Sequence, residues 1–411
     1  MDASPRVARG FTLMELVVSV AITVVVCMGA LALLSAQQRS FRLSADDRAL
    51  QEEARSALAD MTANLRRAGY GVEPWLALDL GPVPNPPVAW PGAAPSPTTG
   101  YPAGAPGASP PGCSPAVAVT DRDSTTGPDE IVFYARDPAF NRALAAAPSS
   151  AGLKLATALT APMYQGQILQ VMCGGAGAWA YVTVGAFADV GATDVVLDGA
   201  CTNGFPHQQA MLDSGCFDAG FAAARVFKIQ RFHYYVARYL DTATGTTRPY
   251  LMLDRGLWSG GAPLVEPIAP NVEDLQFGYV FPGAATTPLV GTTEGTQLAN
   301  ATGSIDLNAT PPAYTDITGA TSRTTHSPAN IRAVRVSVVV RAANPDPNTT
   351  GDDLHTIPAA ANRGAITNAD PGYRRLVVES TESLRNLDSR GPFYTPYSTN
   401  AGADGLNVGG G

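Results

Sequence analysis

GFTLMELVVSVAITVVVCMGALALLSA, residues 10–36, is the stretch that decides the fold. From Phe11 to Ala36 it holds one charged side chain, Glu15. Wound as a helix at ~1.5 Å per residue, the run is about 39 Å long. A hydrocarbon core needs about 20 apolar residues, so the segment is long enough to cross a bilayer with some tilt. The carboxylate is the anomaly: at the centre of such a helix it costs about 3 kcal/mol on insertion scales, which makes an acid here a functional residue in search of a partner. The alternative is an acid that stays hydrated, because Glu15 stands near the start of the run. A secretory signal has a shorter apolar core with its cleavage site behind it. Here the run is longer, and helix-forming sequence continues directly from it.

After Ala36 the helical period persists without saturation. Leu43, Leu50, Ala54, Leu58, Met61 and Leu65 recur at steps of seven, four and three, placing them on one face. Gly69, Gly71 and Pro74 end the pattern, so one helix is expected from Phe11 to about Ala68. Residues 81–116 are dense in Pro and Gly and read as an extended loop.

From Asp129 the texture becomes β. EIVFYARD alternates; ILQVMC (168–173), WAYVTVGAF (179–187) and TDVVLDGAC (193–201) read as three successive strands. RVFKIQRFHYYVARYL places Phe232, Tyr234 and Val236 on one face, with YLMLDRG as its hairpin partner. Residues 282–330 are rich in Thr, Gly and Asn and read as an insertion. In IRAVRVSVVVRA, Val334, Val336, Val338 and Val340 face one way and Arg335, Ser337 and Arg341 the other. YRRLVVESTESLRNL is a final strand-like run, and residues 401–411 are expected to fray.

The totals exclude several functions. A net charge of −8 over 411 residues argues against nucleic acid as the principal ligand, since such binding rests on neutralising phosphates. GxSxG, HExxH, Walker-loop and strand–helix GxGxxG motifs are missing, and the four histidines lack metal spacing, so the chain reads as no enzyme and no cofactor is expected. The nearest to a metal site is DPNTTGDD (346–353). Asp346, Asn348 and Asp352 offer oxygens for calcium, but the twelfth position of such a loop is Ile357 rather than Glu, and a plain polar turn is the competing reading.

A short leader with Arg6 and Arg9, ending in Gly10 and followed by Phe11, Thr12, Leu13, Met14, Glu15 and an apolar helix, resembles the signal of type IV prepilins and type II secretion pseudopilins. That resemblance implies cleavage between Gly10 and Phe11 by a prepilin peptidase, methylation of Phe11, and pairing of Glu15 with the freed amine of a neighbouring subunit. The competing reading is an uncleaved single-pass anchor. Arginines flank both ends of the run, so charge does not orient it; the resemblance does, with residues 1–10 cytoplasmic and the bulk of the chain outside. Of the five cysteines, Cys27 lies in the apolar helix as a small hydrophobe. Cys113, Cys173, Cys201 and Cys216 would form two disulfides in such a compartment, with three connectivities open and zinc as the alternative.

Further along, DEIVFYARD, YYVARYL…LMLDRG, PIAPNVEDLQFGYVF with Val272, Glu273, Leu275 and Tyr279, NIRAVRVSVVVRA and the terminal Leu-Arg-Asn resemble, in this order, the body of PilW-type minor pilins. The J-type minor pseudopilin of type II secretion is similar in the same segments. The resemblance implies an α+β, type IV pilin-like fold. Its parts are a cleaved leader (1–10), a transmembrane or filament-core helix (11–36), the amphipathic half of that helix (37–68), a Pro/Gly-rich region (69–128), a mostly antiparallel β exterior domain (129–400) with an insertion at about 282–330, and a tail (401–411). It further implies an inner-membrane protein with a periplasmic domain that joins a priming or tip complex of a type IV pilus, at its base or on the cell surface. The partners would be the prepilin peptidase, other minor pilins, the major pilin and a tip adhesin. The alternatives are a type II secretion pseudopilin and a tip-displayed adhesin or ligand-binding module.

Overall fold

The computed structural model describes residues 12–72, 77–78, 127–149, 152–172, 179–198, 224–241, 245–280, 305–306, 313–314, 331–345, 356–360, 363–367 and 372–388. Gly10, Phe11, Cys113, Cys173, Cys201, Cys216, Asp346, Asn348, Asp352, the stretch 81–116, most of 282–330 and the tail 401–411 lie outside them. The chain divides into two compact units, Met1–Gln51 and Glu52–Gly411.

Helix α1 spans Leu13–Leu65. In the first unit its apolar run is uncovered from end to end, from Leu13 at 84% exposure to Leu34 at 53%. In the second unit Ala54, Ala57, Met61 and Leu65 are fully buried; their steps of three and four put them on one face, and Leu58 at its margin is half-buried. The helix stops three residues short of the expected Ala68, because its last turns tighten: Arg67 N donates to Asn64 O (2.9 Å) and Ala68 N to Leu65 O (3.0 Å). Gly71 then takes φ 66°, and a Cβ there would stand 2.8 Å from Arg136 Cβ. Only glycine lets the chain turn this close to its neighbour.

The strands in chain order are β1 (Ile131–Ala143), β2 (Gly152–Lys154), β3 (Ile168–Met172), β4 (Trp179–Thr183), β5 (Asp194–Val196), β6 (Arg225–Asp241), β7 (Thr246–Ser259), β8 (Ala262–Pro270), β9 (Val272–Val280), β10 (Ile305–Asp306), β11 (Ala313–Tyr314), β12 (Ala333–Arg341), β13 (Thr356–Ile357), β14 (Ile366–Thr367) and β15 (Arg375–Ser383); a short helix α2 (Arg385–Asp388) follows. All pairing between them is antiparallel. The larger sheet runs β4-β3-β6-β7-β8 with β1 on the other edge of β6, and the smaller runs β15-β12-β9. Edge strand β8 carries Pro263, Pro267 and Pro270, which blunt it against further pairing. The β6–β7 hairpin is the one expected from sequence.

The structure refines three expectations. TDVVLDGAC supplies β5, which pairs with β2 and also bonds to the end of the WAYVTVGAF segment, where Asp198 N donates to Thr183 O (3.0 Å) and Gly185 N to Val196 O (2.9 Å); β2 and β5 serve a small core that includes Leu153, Leu169, Val182, Val195 and Leu197. The second face of β12, which carries Ser337 and Arg341, is covered as well. Ser337 and Arg341 are buried, and Val339 packs with Ile357 and Ala360, brought over by the β13–β14 hairpin. The terminal Leu-Arg-Asn opens α2 rather than prolonging β15: Leu384 and Leu387 are fully buried, and Asn386 Nδ2 donates to Ala68 O (3.1 Å), satisfying a carbonyl just past the end of α1.

Candidate assembly site

Glu15 sits three residues after Thr12, the spacing of a capping box. Glu15 N donates to Thr12 Oγ1 (3.3 Å), while Glu15 Oε2 accepts from both Thr12 N (3.0 Å) and Thr12 Oγ1 (2.9 Å). The acid therefore closes the first turn of its own helix. Oε1 has no hydrogen bond among the described residues. The helix below it, Leu13–Gln38, is the one candidate membrane span among the described residues, and none of it is buried. Cys27 is exposed on it as a free thiol.

In the second unit, α1 is fixed to the sheets by polar bonds from several directions. Tyr234 on β6 donates to Asp60 Oδ2 (2.7 Å) and accepts from Asn64 Nδ2 (2.7 Å). Burial first, then the Asp60 carboxylate, push the Tyr234 phenol far up, so it remains a donor. Arg66 forms a forked pair with Glu382 on β15 at 2.8 and 3.1 Å, which holds that carboxyl below its ordinary value. Between β8 and β9 the chain changes sheets at Asn271, whose φ is 60°; this buried amide donates to Glu53 on α1 at 3.1–3.2 Å. Burial dominates at Glu53 and raises its carboxyl.

The smaller sheet carries buried ion pairs. Register slips between Val339 and Val340, so that Val272 and Asp274 have partners on β12 and Glu273 is left in a bulge. The bulge turns Glu273 to Arg375, whose Nε and Nη2 reach it at 2.6 and 3.1 Å. Asp274 pairs with Arg363 from the β13–β14 hairpin, each side chain 1% exposed, and Arg363 Nη1 also donates to Gly127 O (3.1 Å). On the larger sheet, His233 Nε2 meets Glu130 at 2.5 Å, and its Nδ1 stands 3.8 Å from the buried Asp254. Clusters of three or more His, Cys, Asp or Glu able to hold a metal do not occur among the described residues.

Residues 233–386 match the family model described as Type IV Pilus-assembly protein W, and residues 5–31 match the prokaryotic N-terminal methylation motif. The chain carries a PilW-type segment behind a prepilin-type methylation motif. A solved type IV-like pilin from Thermus thermophilus is similar over 54% of this chain and 85% of its own, at 14% identity and a TM-score of 0.18. No curated protein matches the chain. The PilW segment begins on β6 and ends at the α2 asparagine, so it takes in Tyr234, Asn271, Glu273, Asp274, Arg363, Glu382 and Asn386. The small core around β2–β5 lies before it. Pilins of this type are structural proteins not known as enzymes.

Sequence reading singled out Glu15 but missed Thr12, although the Thr-x-x-Glu spacing was there to be read. Asp60, Asn64, Asn271 and Arg363 carry no local signal, since each finds its partner between about 90 and 220 positions away.

Proposed function

We propose that this PilW-type chain is a minor pilin that is cut between Gly10 and Phe11, anchored in the inner membrane by Leu13–Gln38, and joined to other minor pilins in a priming or tip complex of a type IV pilus. The observation that carries the reading is the order of the two family matches, a methylation motif at 5–31 and a PilW segment at 233–386, with an uncovered apolar helix starting between Thr12 and Leu13. Such a helix needs lipid or other helices to cover it.

Glu15 supplies the selectivity. Thr12 engages Oε2, which orients the carboxylate beside the N-terminus, while Oε1 is open to the methylated amine of a neighbouring Phe11. In hydrocarbon a lone charge is penalised and a matched pair is strong, so a sliding helix is drawn to the register that neutralises both groups. Within the second unit the sheets are held to the last turns of α1 by Tyr234, and to the turn after it by Glu382 and Asn386.

Co-purification tests the reading. Wild-type chain solubilised from membranes carries other minor pilins with it; Glu15→Ala is still shortened at Gly10 but recovers them at less than a tenth of that yield. Normal recovery by Glu15→Ala would refute the charge pairing.

A further inference from the structure

Several arginines of the second unit face a carboxylate, as Arg66 faces Glu382 and Arg375 faces Glu273. Around Phe232 the pattern differs. The guanidinium of Arg67, from the turn after α1, lies 5.5 Å from the Phe232 ring centroid, and that of Arg255, from β7, lies 5.1 Å from the same centroid. Lys228, four residues before Phe232 on β6, shares its face and comes close enough to Arg255 to feel its charge. Among the described residues two carboxylates answer these three cations: Asp137, which acts on Lys228, and Glu266, whose Oε1 is 3.4 Å from Arg255 Nε and whose side chain is 56% exposed. Arg67 is held by a neutral acceptor, Gln230 Oε1, at 2.6 Å, and pairs with no carboxylate among the described residues. The cluster is locally positive in a chain of net charge −8. Burial pushes the Lys228 ammonium down, Asp137 draws it back up, and Arg255 adds a smaller push down.

We infer that Arg67, Lys228 and Arg255 form a binding site for an acidic side chain of a partner protein, set against the ring of Phe232. Two planar guanidiniums beside one aromatic ring suit a flat carboxylate, which each can meet through two parallel N–H donors. Glu266 already shows that Arg255 takes a carboxylate, at a length that a better-placed one shortens. Phe232 itself is fully buried and gives the site a rigid floor, while Arg67, Lys228 and Arg255 are each half-buried. The assignment of the partner as a neighbouring subunit rests on the pilin reading; the site itself rests on these residues alone.

The test uses the full chain in detergent micelles and fluorescein-labelled hexaglutamate, followed by anisotropy at low salt. Binding is saturable, weakens as salt is raised, and falls about tenfold in Arg67→Gln/Arg255→Gln, while the exposed pair Arg48→Gln/Arg55→Gln changes it less than about twofold. Lys228→Met replaces a half-buried amine by an apolar chain of similar length and weakens binding about threefold, which keeps the question open to test if the double variant misfolds. Equal binding by the parent and by the Arg67/Arg255 variant would overturn the site; so would inorganic phosphate binding where hexaglutamate does not. A chain that binds hexaglutamate through these residues but recovers no pilins would keep the site and defeat the pilin reading.

Discussion

The apolar half of α1 and the small sheet β9–β12–β15 solve opposite problems with opposite chemistry. Along Leu13–Gln38 the backbone beyond the first turn is bonded within the helix and most side chains are apolar and exposed, so a covering of hydrocarbon or similar helices suits it. The small sheet buries charge: Arg363 with Asp274 and Arg375 with Glu273 satisfy each other in one arrangement only. The first region carries one acid, Glu15, to which the proposal gives the choice of register; the second is fixed by several buried pairs. A subunit that must slide and then hold needs both.

The contrast can be broken most forcefully at its buried pair. Arg363→Leu leaves Asp274 uncompensated in the core and lowers unfolding stability by about 3–5 kcal/mol in urea melts, whereas Val→Leu changes between residues 17 and 26 stay within about 0.5 kcal/mol. Acid probes the larger sheet. Burial pushes the Asp254 carboxyl up, but the His233 ring, the Arg231 charge and the Gly256 amide outweigh it and hold it at about 2. Its folded value lies below the ordinary 3.8, so its contribution is complete above about pH 4 and is lost as pH falls towards 2. Urea midpoints followed over that window drop by an amount worth about 2 kcal/mol in the wild type and stay flatter in Asp254→Asn.

Asn271 sharpens the same contrast through the backbone. At φ 60° an Ala is strained and also loses the amide bonds to Glu53, so Asn271→Ala costs about 1–2 kcal/mol, and Asn271→Gly costs less because only the bonds go. The smallest effect belongs to the permissive region: Thr12→Val removes the capping hydroxyl and loosens the first turn by about 0.5–1 kcal/mol, seen as faster amide exchange at residues 13–16 with the rest of α1 unchanged.

What could be read from the sequence follows the range of the interactions. The apolar run, the amphipathic face ending at Leu65, the β6–β7 hairpin and the valine strand β12 are local patterns and were legible as such. The burial of Ser337 and Arg341 was not, because it depends on a hairpin 15 or more positions further on covering a face that alternation alone assigns to water. The Val-Glu-x-Leu-x-x-x-Tyr segment gained a physical reason only with its register: Val272, Leu275 and Tyr279 point into the core, and the bulge releases Glu273 to its arginine. In the assembly site the acid was visible as an expensive charge, while its threonine partner needed the helix start to be placed first.

Cleavage, anchoring and the role of Glu15 all hang on where the working chain begins. N-terminal peptide mass spectrometry of the protein purified from its membrane measures that directly: the expected result is a chain starting at Phe11 with a methylated amine, and a chain still carrying residues 1–10 would contradict it.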